Sequence, residues 1–372
     1  MRLRRWVSRR SRPPAGSSSR RAITQPGSRS YSICRPTRER RITSTASPRA
    51  RKRRRTWPRS WTAGAKGWAS VQDIKKILVF VTARTEGSPA LEQARRIAKA
   101  TGAEIELVDV IGELPMTLRA PGFGYPDLLE TLKKEAYEAL EGAAAPIRHA
   151  DGTPVSAKAL YGKPFLEVTR EVLRGEHDLV LLDARRDGSL HLWGTTAMRL
   201  FRVCPAPVWA VHPERSGACR KVLAAVDPLS GYDEENALNR RILEAALDVA
   251  RLQQAELHVV HAWGEQEESP ELLVRFEERM KAAAREALDA LLAPYSDKIP
   301  AERVHLVAGR PAEGIHQVVR DENVDLLVMG TLVRTGIQGV LIGNTAEKLL
   351  GQVECSILAL KPDGYRTPVE LE

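Results

Sequence analysis

The residues of this sequence best suited to holding a ligand lie between Leu326 and Leu350 and are glycines and small polar groups. Leu326-Leu327-Val328-Met329 is a short apolar run that fits a strand buried on both faces, and Gly330 ends it where the chain must turn. A loop with Gly336, Gly339 and Gly343 follows. Asn344 or Thr345 then caps a helix with the apolar spacing Ala346, Leu349, Leu350 and with Glu347 in its first turn. Free backbone N–H groups at a helix start, unhindered glycine backbones and the positive end of the helix dipole together favour an anion such as phosphate. The chemistry on offer is binding.

Ligands of an open doubly wound sheet bind outside the carboxyl ends of the strands, where the strand order reverses. That rule adds Asp227, His261 with Ala262, Gly309, and Met329 with Gly330 to the candidates. Asp227 precedes Pro228 and suits either a ligand acceptor or an Asx turn. No catalytic or metal-ligating residue is assigned. The sequence has no HExxH, no Cys/His cluster, no GxSxG, no Ser-His-Asp arrangement, and no P-loop lysine near Gly343. In His258-Val259-Val260-His261 the two histidines are three apart, which puts them on opposite faces of a strand. His261 is then the one expected to meet Asp227 or His305 across neighbouring strand ends.

These residues need a scaffold, and the pattern supplies one twice. From Lys76 the chain alternates strands and helices: strand Ile77 to Val81, helix Ser88 to Ala100 with Leu91, Ala94, Ile97 and Ala98 on one face, and strand Glu104 to Ile111. A polar connection leads to a helix from Pro126 to about Arg148. Strand Val155 to Tyr161, helix Phe165 to Arg174, strand Leu179 to Leu182, a helix opened by Gly194-Thr195-Thr196, and strand Pro207 to Val211 complete the unit. The elements then recur. Lys221 to Asp227 answers Lys76 to Thr82, Val307 to Pro311 answers Leu160 to Pro164, and Cys355 to Leu360 answers Pro207 to His212, at a period of about 145 to 151 residues. The expected fold class is α/β, with two tandem doubly wound domains, each a five-stranded parallel sheet flanked by helices. The boundaries read as 71–213 and 218–363, with 364–372 as a tail. His212 to Arg220 forms a short linker that implies close docking.

The run VMGTLVRTGIQGVLIGNTAEKLL resembles the signature of the universal stress protein family, in which Gly, two residues, Gly, nine residues, Gly and Ser or Thr follow a buried strand. Gly330 and Gly343 fall on the outer glycine positions, Val333 on the middle one and Asn344 on the Ser/Thr position. GTLVRTGI and GNTAE look closest to the tandem, E-type members, and the likeness extends over about 290 residues on the repeat. The resemblance implies the adenine nucleotide alpha hydrolase-like fold, a non-catalytic role in stress response, and ATP, another adenine nucleotide or a small anionic ligand in the second domain. It implies that Asp227 accepts from adenine or ribose, with Ala262, Gly309, Met329, Gly330, Gly336, Gly343, Asn344 and Thr345 around it. The first domain reads as degenerate: Thr82 stands where Asp227 stands in the second, although Arg185 and Arg186 remain to pair with an anion. A slow nucleotide hydrolase, or a metal-dependent hydrolase near Asp227 and His261, is the alternative at the same site. In the family the last strand commonly pairs domains or subunits edge to edge. Trp209 and Leu358 are the side chains expected there, making the chain a monomer or a homodimer with an unknown protein partner.

The formal net charge of +10 conceals two regions. Of the 57 basic residues, 21 precede Val71 and only Glu39 opposes them, which leaves 36 basic against 46 acidic in the rest. Residues 1–70 show no periodic apolar pattern and are expected to be a disordered, solvated leader. They read as a basic tail for nucleic acid or anionic lipid with Trp57, Trp61 and Trp68 interleaved, as an organelle transit peptide, or as a start assigned too far upstream. The last is preferred, because VQDIKKILV begins the patterned region at Val71 and a valine codon is an alternative bacterial start. Nucleic acid enters only through that leader. Cys34, Cys204, Cys219 and Cys355 are far apart, form no CxxC pair and fit a reducing cytoplasm. No apolar stretch is long enough to span a bilayer.

The long charged helix Glu271 to Leu292 carries Leu272, Leu273, Phe276, Met280, Ala283, Leu288, Leu291 and Leu292 as its expected core face.

Overall fold

The computed structural model of the chain describes residues 68, 70–81, 87–119, 124–184, 194–215, 217, 219–230, 233–264, 270–331 and 344–371. Val333, Gly336, Gly339 and Gly343 lie outside them, as do Thr82, Arg185, Arg186, Trp57 and Trp61.

In the first half, β1 (Lys76–Phe80), α1 (Pro89–Thr101), β2 (Glu104–Ile111), α2 (Tyr125–Asp151), β3 (Val155–Tyr161), α3 (Pro164–Gly175), β4 (Leu179–Asp183), α4 (Gly194–Val203) and β5 (Val208–Val211) follow in turn. The second half repeats the plan with β6 (Lys221–Ala225), α5 (Asp233–Gln253), β7 (Glu256–Trp263), α6 (Pro270–Leu292), β8 (Val304–Ala308), α7 (Pro311–Asp321), β9 (Leu326–Gly330), α8 (Asn344–Leu350) and β10 (Ser356–Leu360). Local chemistry sets several boundaries. Ser88 accepts from the Leu91 N–H at 3.2 Å to start α1, with Pro89 in its first turn, and Gly102 at φ +73° ends it.

All ten strands form one sheet in the order β3-β2-β1-β4-β5-β10-β9-β6-β7-β8. Within each half the pairing is parallel, and a single antiparallel pair, β5 with β10, joins the halves. The two five-stranded sheets of the expectation are thus one continuous sheet. Strand alternation divides its faces: Ile77 and Val79 pack with α1, α2, α5 and α6, whereas Leu78 packs with α3, α4, α7 and α8. In each half the order reverses between the first strand and the fourth, β1 with β4 and β6 with β9. The carboxyl ends of those pairs are the two crevices where this architecture places ligands.

Two expectations need correction. Trp68, grouped with the solvated leader, is buried at 4% exposure. Its indole N–H donates to Asp248 Oδ2 of α5 at 3.2 Å, beside the Val71 N–H at 2.9 Å, because an aromatic ring with one donor can bury only against such an acceptor. In α6, Ala283 is exposed and Ala284 buried. The expected Leu288, Leu291 and Leu292 do face inward, so among the described residues the departure is confined to that one position.

Candidate functional site

The second crevice is built from the ends of β6, β7 and β9 and the first turns of α5. Asp227 follows β6 and precedes a short 3-10 turn, Pro228–Ser230. Its backbone is held from both sides by one side chain. Asn239 Oδ1 accepts from the Asp227 N–H at 2.9 Å, and Asn239 Nδ2 donates to the Asp227 carbonyl at 2.9 Å. Asn239 is 4% exposed, so the clamp is sealed from water and fixes where Asp227 leaves the sheet.

Gly330 ends β9, and its lack of a side chain has a packing cause. A Cβ there would lie 2.8 Å from Leu238 Cδ2 and 3.7 Å from Ile242 Cδ1, so α5 crosses closely over the strand end. Gly309 follows β8 at φ +111°, a backbone region that favours glycine, and its N–H donates to the Trp263 carbonyl at 2.9 Å. Gly162 repeats this in the first half at φ +143°.

The other candidates are placed less directly. Met329 is 4% exposed with its side chain in the core beneath α7 and α8, so only its backbone can face the crevice. Ala262 turns toward α7, where its Cβ would lie 3.5 Å from a Cβ at Gly314. Asn344 and Thr345 are the first two residues of α8. Gly336 and Gly343 lie outside the described residues.

The histidines separate as the strand period requires, but their partners differ from expectation. His261 meets neither Asp227 nor His305. Its Nδ1 lies 3.2 Å from the Val226 carbonyl, and burial at 2% exposure holds its pKa below the ordinary 6.5. The neutral ring donates from Nδ1 and keeps Nε2 as an acceptor. It is His258, on the other face, that meets His305, with Nδ1 3.0 Å from His305 Nε2.

Three contributors had no strong signal in the sequence. Asn239 is a polar residue at a core-facing helical position, which is its only mark. Lys361, the residue after β10, reads as a surface lysine, yet it is 5% exposed. It donates to Thr331 Oγ1 at 2.6 Å and to the Phe201 carbonyl at the root of the site loop. Burial pushes its pKa down to about 7. Asp183, at the end of β4, explains the contrast between the halves. It stands where Gly330 stands in the repeat, and its Oδ1 accepts from the Ala90 N–H of α1 at 2.8 Å. At this strand end the first half places its own carboxylate at the start of a helix, while the second has a glycine with Leu238 of α5 packed against it.

A family model described as "Universal stress protein family" matches residues 73–212 and again 219–361. The chain is 32% identical over 231 residues to universal stress protein E of Salmonella typhi, which covers 59% of this chain and 73% of that protein. To universal stress protein E of Photorhabdus laumondii it is 26% identical over 319 residues, covering 80% and 98%. Among solved structures, a functionally unknown protein from Pseudomonas aeruginosa PAO1 aligns with a TM-score of 0.60 at 27% identity, over 79% of this chain and 94% of the other.

Proposed function

This chain belongs to the universal stress protein family, as a tandem member, and we propose from that premise that it is a stress-response protein acting by binding. Its ligand is an adenine nucleotide such as ATP, or a small anion of like charge, held in the second crevice. Asp227 takes a ligand hydroxyl or amino group, the Gly309 and Gly330 backbones line the approach, and the family resemblance assigns the phosphates to Gly336, Gly343, Asn344 and Thr345. Occupancy, read as a change of shape by a protein partner, is the signal. No described group is arranged as a nucleophile with its base, so turnover is not part of the reading. Pairing of β5 with β10 uses both edges inside one chain, which supports a monomer over a homodimer built on that edge. No described helix is long and apolar enough to cross a membrane. Cys204, Cys219 and Cys355 are buried and in no disulfide, which fits a cytoplasmic site of action.

The observation that carries this reading is the exchange of Asp183 for Gly330 between the halves. At this strand end the first half carries the Asp183 carboxylate, which would repel an anion, whereas the second has Gly330 with the apolar Leu238 packed against it. The test is native mass spectrometry of the full chain, purified without added ligand and then titrated with ATP. One nucleotide per chain is expected, weakened about tenfold or more, roughly 1.4 kcal/mol, by Asp227→Ala, with no phosphate released. A chain that stays empty at millimolar ATP would overturn the reading.

A further inference from the structure

At the amino ends of β6, β7 and β8, the end of the sheet opposite the crevice, charged and imidazole side chains converge beneath the last turn of α7. His258 Nδ1 lies 3.0 Å from His305 Nε2, and Glu322, which follows α7, brings Oε2 to 4.0 Å from His258 Nδ1. The three ligand atoms all lie within 4.8 Å of one another; His258 is buried and the other two half-buried. Lys221 Nζ donates to Glu322 Oε2 at 2.8 Å, and Glu256 Oε2 lies 3.6 Å from His258 Nε2.

We propose that this cluster is a site for a divalent metal ion of the zinc class, held by His258 Nδ1, His305 Nε2 and Glu322 Oε2. Two imidazoles and one carboxylate are the borderline donors such an ion prefers, and three protein ligands leave a fourth position for water. Tetrahedral zinc with bonds of about 2.0–2.1 Å holds its ligand atoms about 3.3 Å apart; the two imidazole nitrogens stand close to that separation, but their rings lie end to end, with centroids 5.3 Å apart and planes 13° apart, so both rings must swing to aim at one ion. Glu322 Oε2 has to close by about 0.7 Å on His258 Nδ1, and within the same group of atoms no separation exceeds 4.8 Å. At 3.0 Å the two nitrogens cannot both present lone pairs: without a metal one neutral ring donates its N–H to the other, and a metal ion would displace that proton.

The surroundings fit as well. With Nδ1 given to the ion, His258 Nε2 carries the proton and points toward Glu256, the carboxylate–histidine–metal order that orients ligating imidazoles. That Nε2 is buried and has no hydrogen-bond partner among the described residues, so a closer approach of Glu256 satisfies it. The Lys221 ammonium is the competitor. Its side chain is 31% exposed and can turn to solvent when the ion takes its place at Glu322.

The first half lacks this donor set. Glu106 occupies the place of His258 in the strand register, and Lys158, counted back from Gly162 as His305 is from Gly309, occupies the place of His305. There Glu106 faces His177 at 3.1 Å and Lys158 pairs with Glu171 at 2.7 Å, so each side chain has a partner without a metal. One ion per chain follows. It ties β7, β8 and α7 together from the side away from the crevice.

The test uses the full chain stripped with a chelator and titrated with Co2+, whose visible absorption distinguishes tetrahedral from octahedral sites, and with Zn2+ by calorimetry. One tetrahedral Co2+ per chain is expected, with affinity lowered at least tenfold by His305→Gln and by Glu322→Gln and unchanged by His149→Gln, a change at an exposed residue of the first half. Lys221→Met, which removes the competing ammonium, is expected to tighten binding. An octahedral spectrum, or affinity indifferent to both ligand substitutions, overturns the proposal. If both ligand variants lose their fold, Lys221→Met decides: tighter binding upholds the site, and unchanged or weaker binding overturns it.

Discussion

Trp209 of β5 and Leu358 of β10 stand opposite each other in the antiparallel pair that joins the halves, at 2% and 0% exposure. Each half ends on a strand whose outer edge is unpaired within that half, and an unpaired apolar edge invites association. Pairing the two last strands closes both edges at once and turns two small sheets into one. Both side chains lie in the core on the α1, α2, α5 and α6 face, so the junction is packed like the interior of either half.

Leu358→Ala is expected to cost about 2–5 kcal/mol, the range for deleting a fully buried leucine, and to lower the unfolding midpoint of both halves together. Urea titration followed by circular dichroism and by tryptophan fluorescence checks this. A loss below about 1 kcal/mol, or two separated transitions, would mean that the halves are stable without their shared edge.

Asn239→Ala removes both bonds that hold the Asp227 backbone and leaves a buried N–H and carbonyl unmade, at a cost of about 2–3 kcal/mol. Asn239→Asp keeps the acceptor and loses the donor, so an intermediate loss is expected. Nucleotide affinity measured by calorimetry should fall in the same order, since Asp227 is positioned through this clamp. Equal affinity in all three proteins would show that the clamp has no bearing on binding.

Gly330→Ala is expected to destabilise the protein by about 1–3 kcal/mol with no ligand present, because its Cβ meets Leu238 Cδ2 at 2.8 Å. Shortening the obstructing side chain should help. The double variant Gly330→Ala with Leu238→Ala should lose less than the sum of the two single changes when their melting curves are compared. Strict additivity would place the requirement for glycine elsewhere.

Stability should rise with pH from about 7 and turn over near 9. The buried Lys361 has a folded-state pKa pushed down to about 7 from 10.5, so between those values the unfolded chain binds the extra proton and each pH unit adds up to about 1.4 kcal/mol. The neutral amine keeps two N–H groups for Thr331 and Phe201. Cys204 and Cys219 act in the opposite sense: burial pushes their thiols up to about 12 from 9.0, so above pH 9 the unfolded state loses protons first and stability falls. Urea midpoints between pH 6.5 and 10.5 test this, and Lys361→Met should abolish the rise. A steady decline of the parent protein from pH 7 would contradict the assignment.

Much of the fold was legible because it is written in local pattern. Apolar runs, Ser88 as a cap and the recurrence of Lys221 to Asp227 after Lys76 to Thr82 fix the elements, their alternation and the tandem plan. Edge-to-edge pairing of the last strands, with Trp209 and Leu358 at the junction, was implied by the family resemblance, and the structure sets those two residues opposite each other. In α6 the expected Leu288, Leu291 and Leu292 face inward and, among the described residues, the pattern misses only at Ala283, where Ala284 is the buried one, because a helix with alanine at 282, 283 and 284 has no local mark there of its inward side.

The sequence by itself determined an α/β chain of two like halves, with glycine and polar groups gathered after the fourth strand of the second. Those properties depend on neighbours in the chain, and neighbours in the chain are what periodicity and capping report. Only the tertiary structure decided that the sheet is single and that Asp183 sets a carboxylate against α1 at one strand end while Gly330 meets Leu238 at the other. It also paired His258 with His305 and set Asn239 and the buried Lys361 at the root of the site. Each of those relations is set by strand register and helix crossing between residues distant in sequence. Which side chains meet across such distances is fixed by packing the whole core, and no local run of residues specifies it.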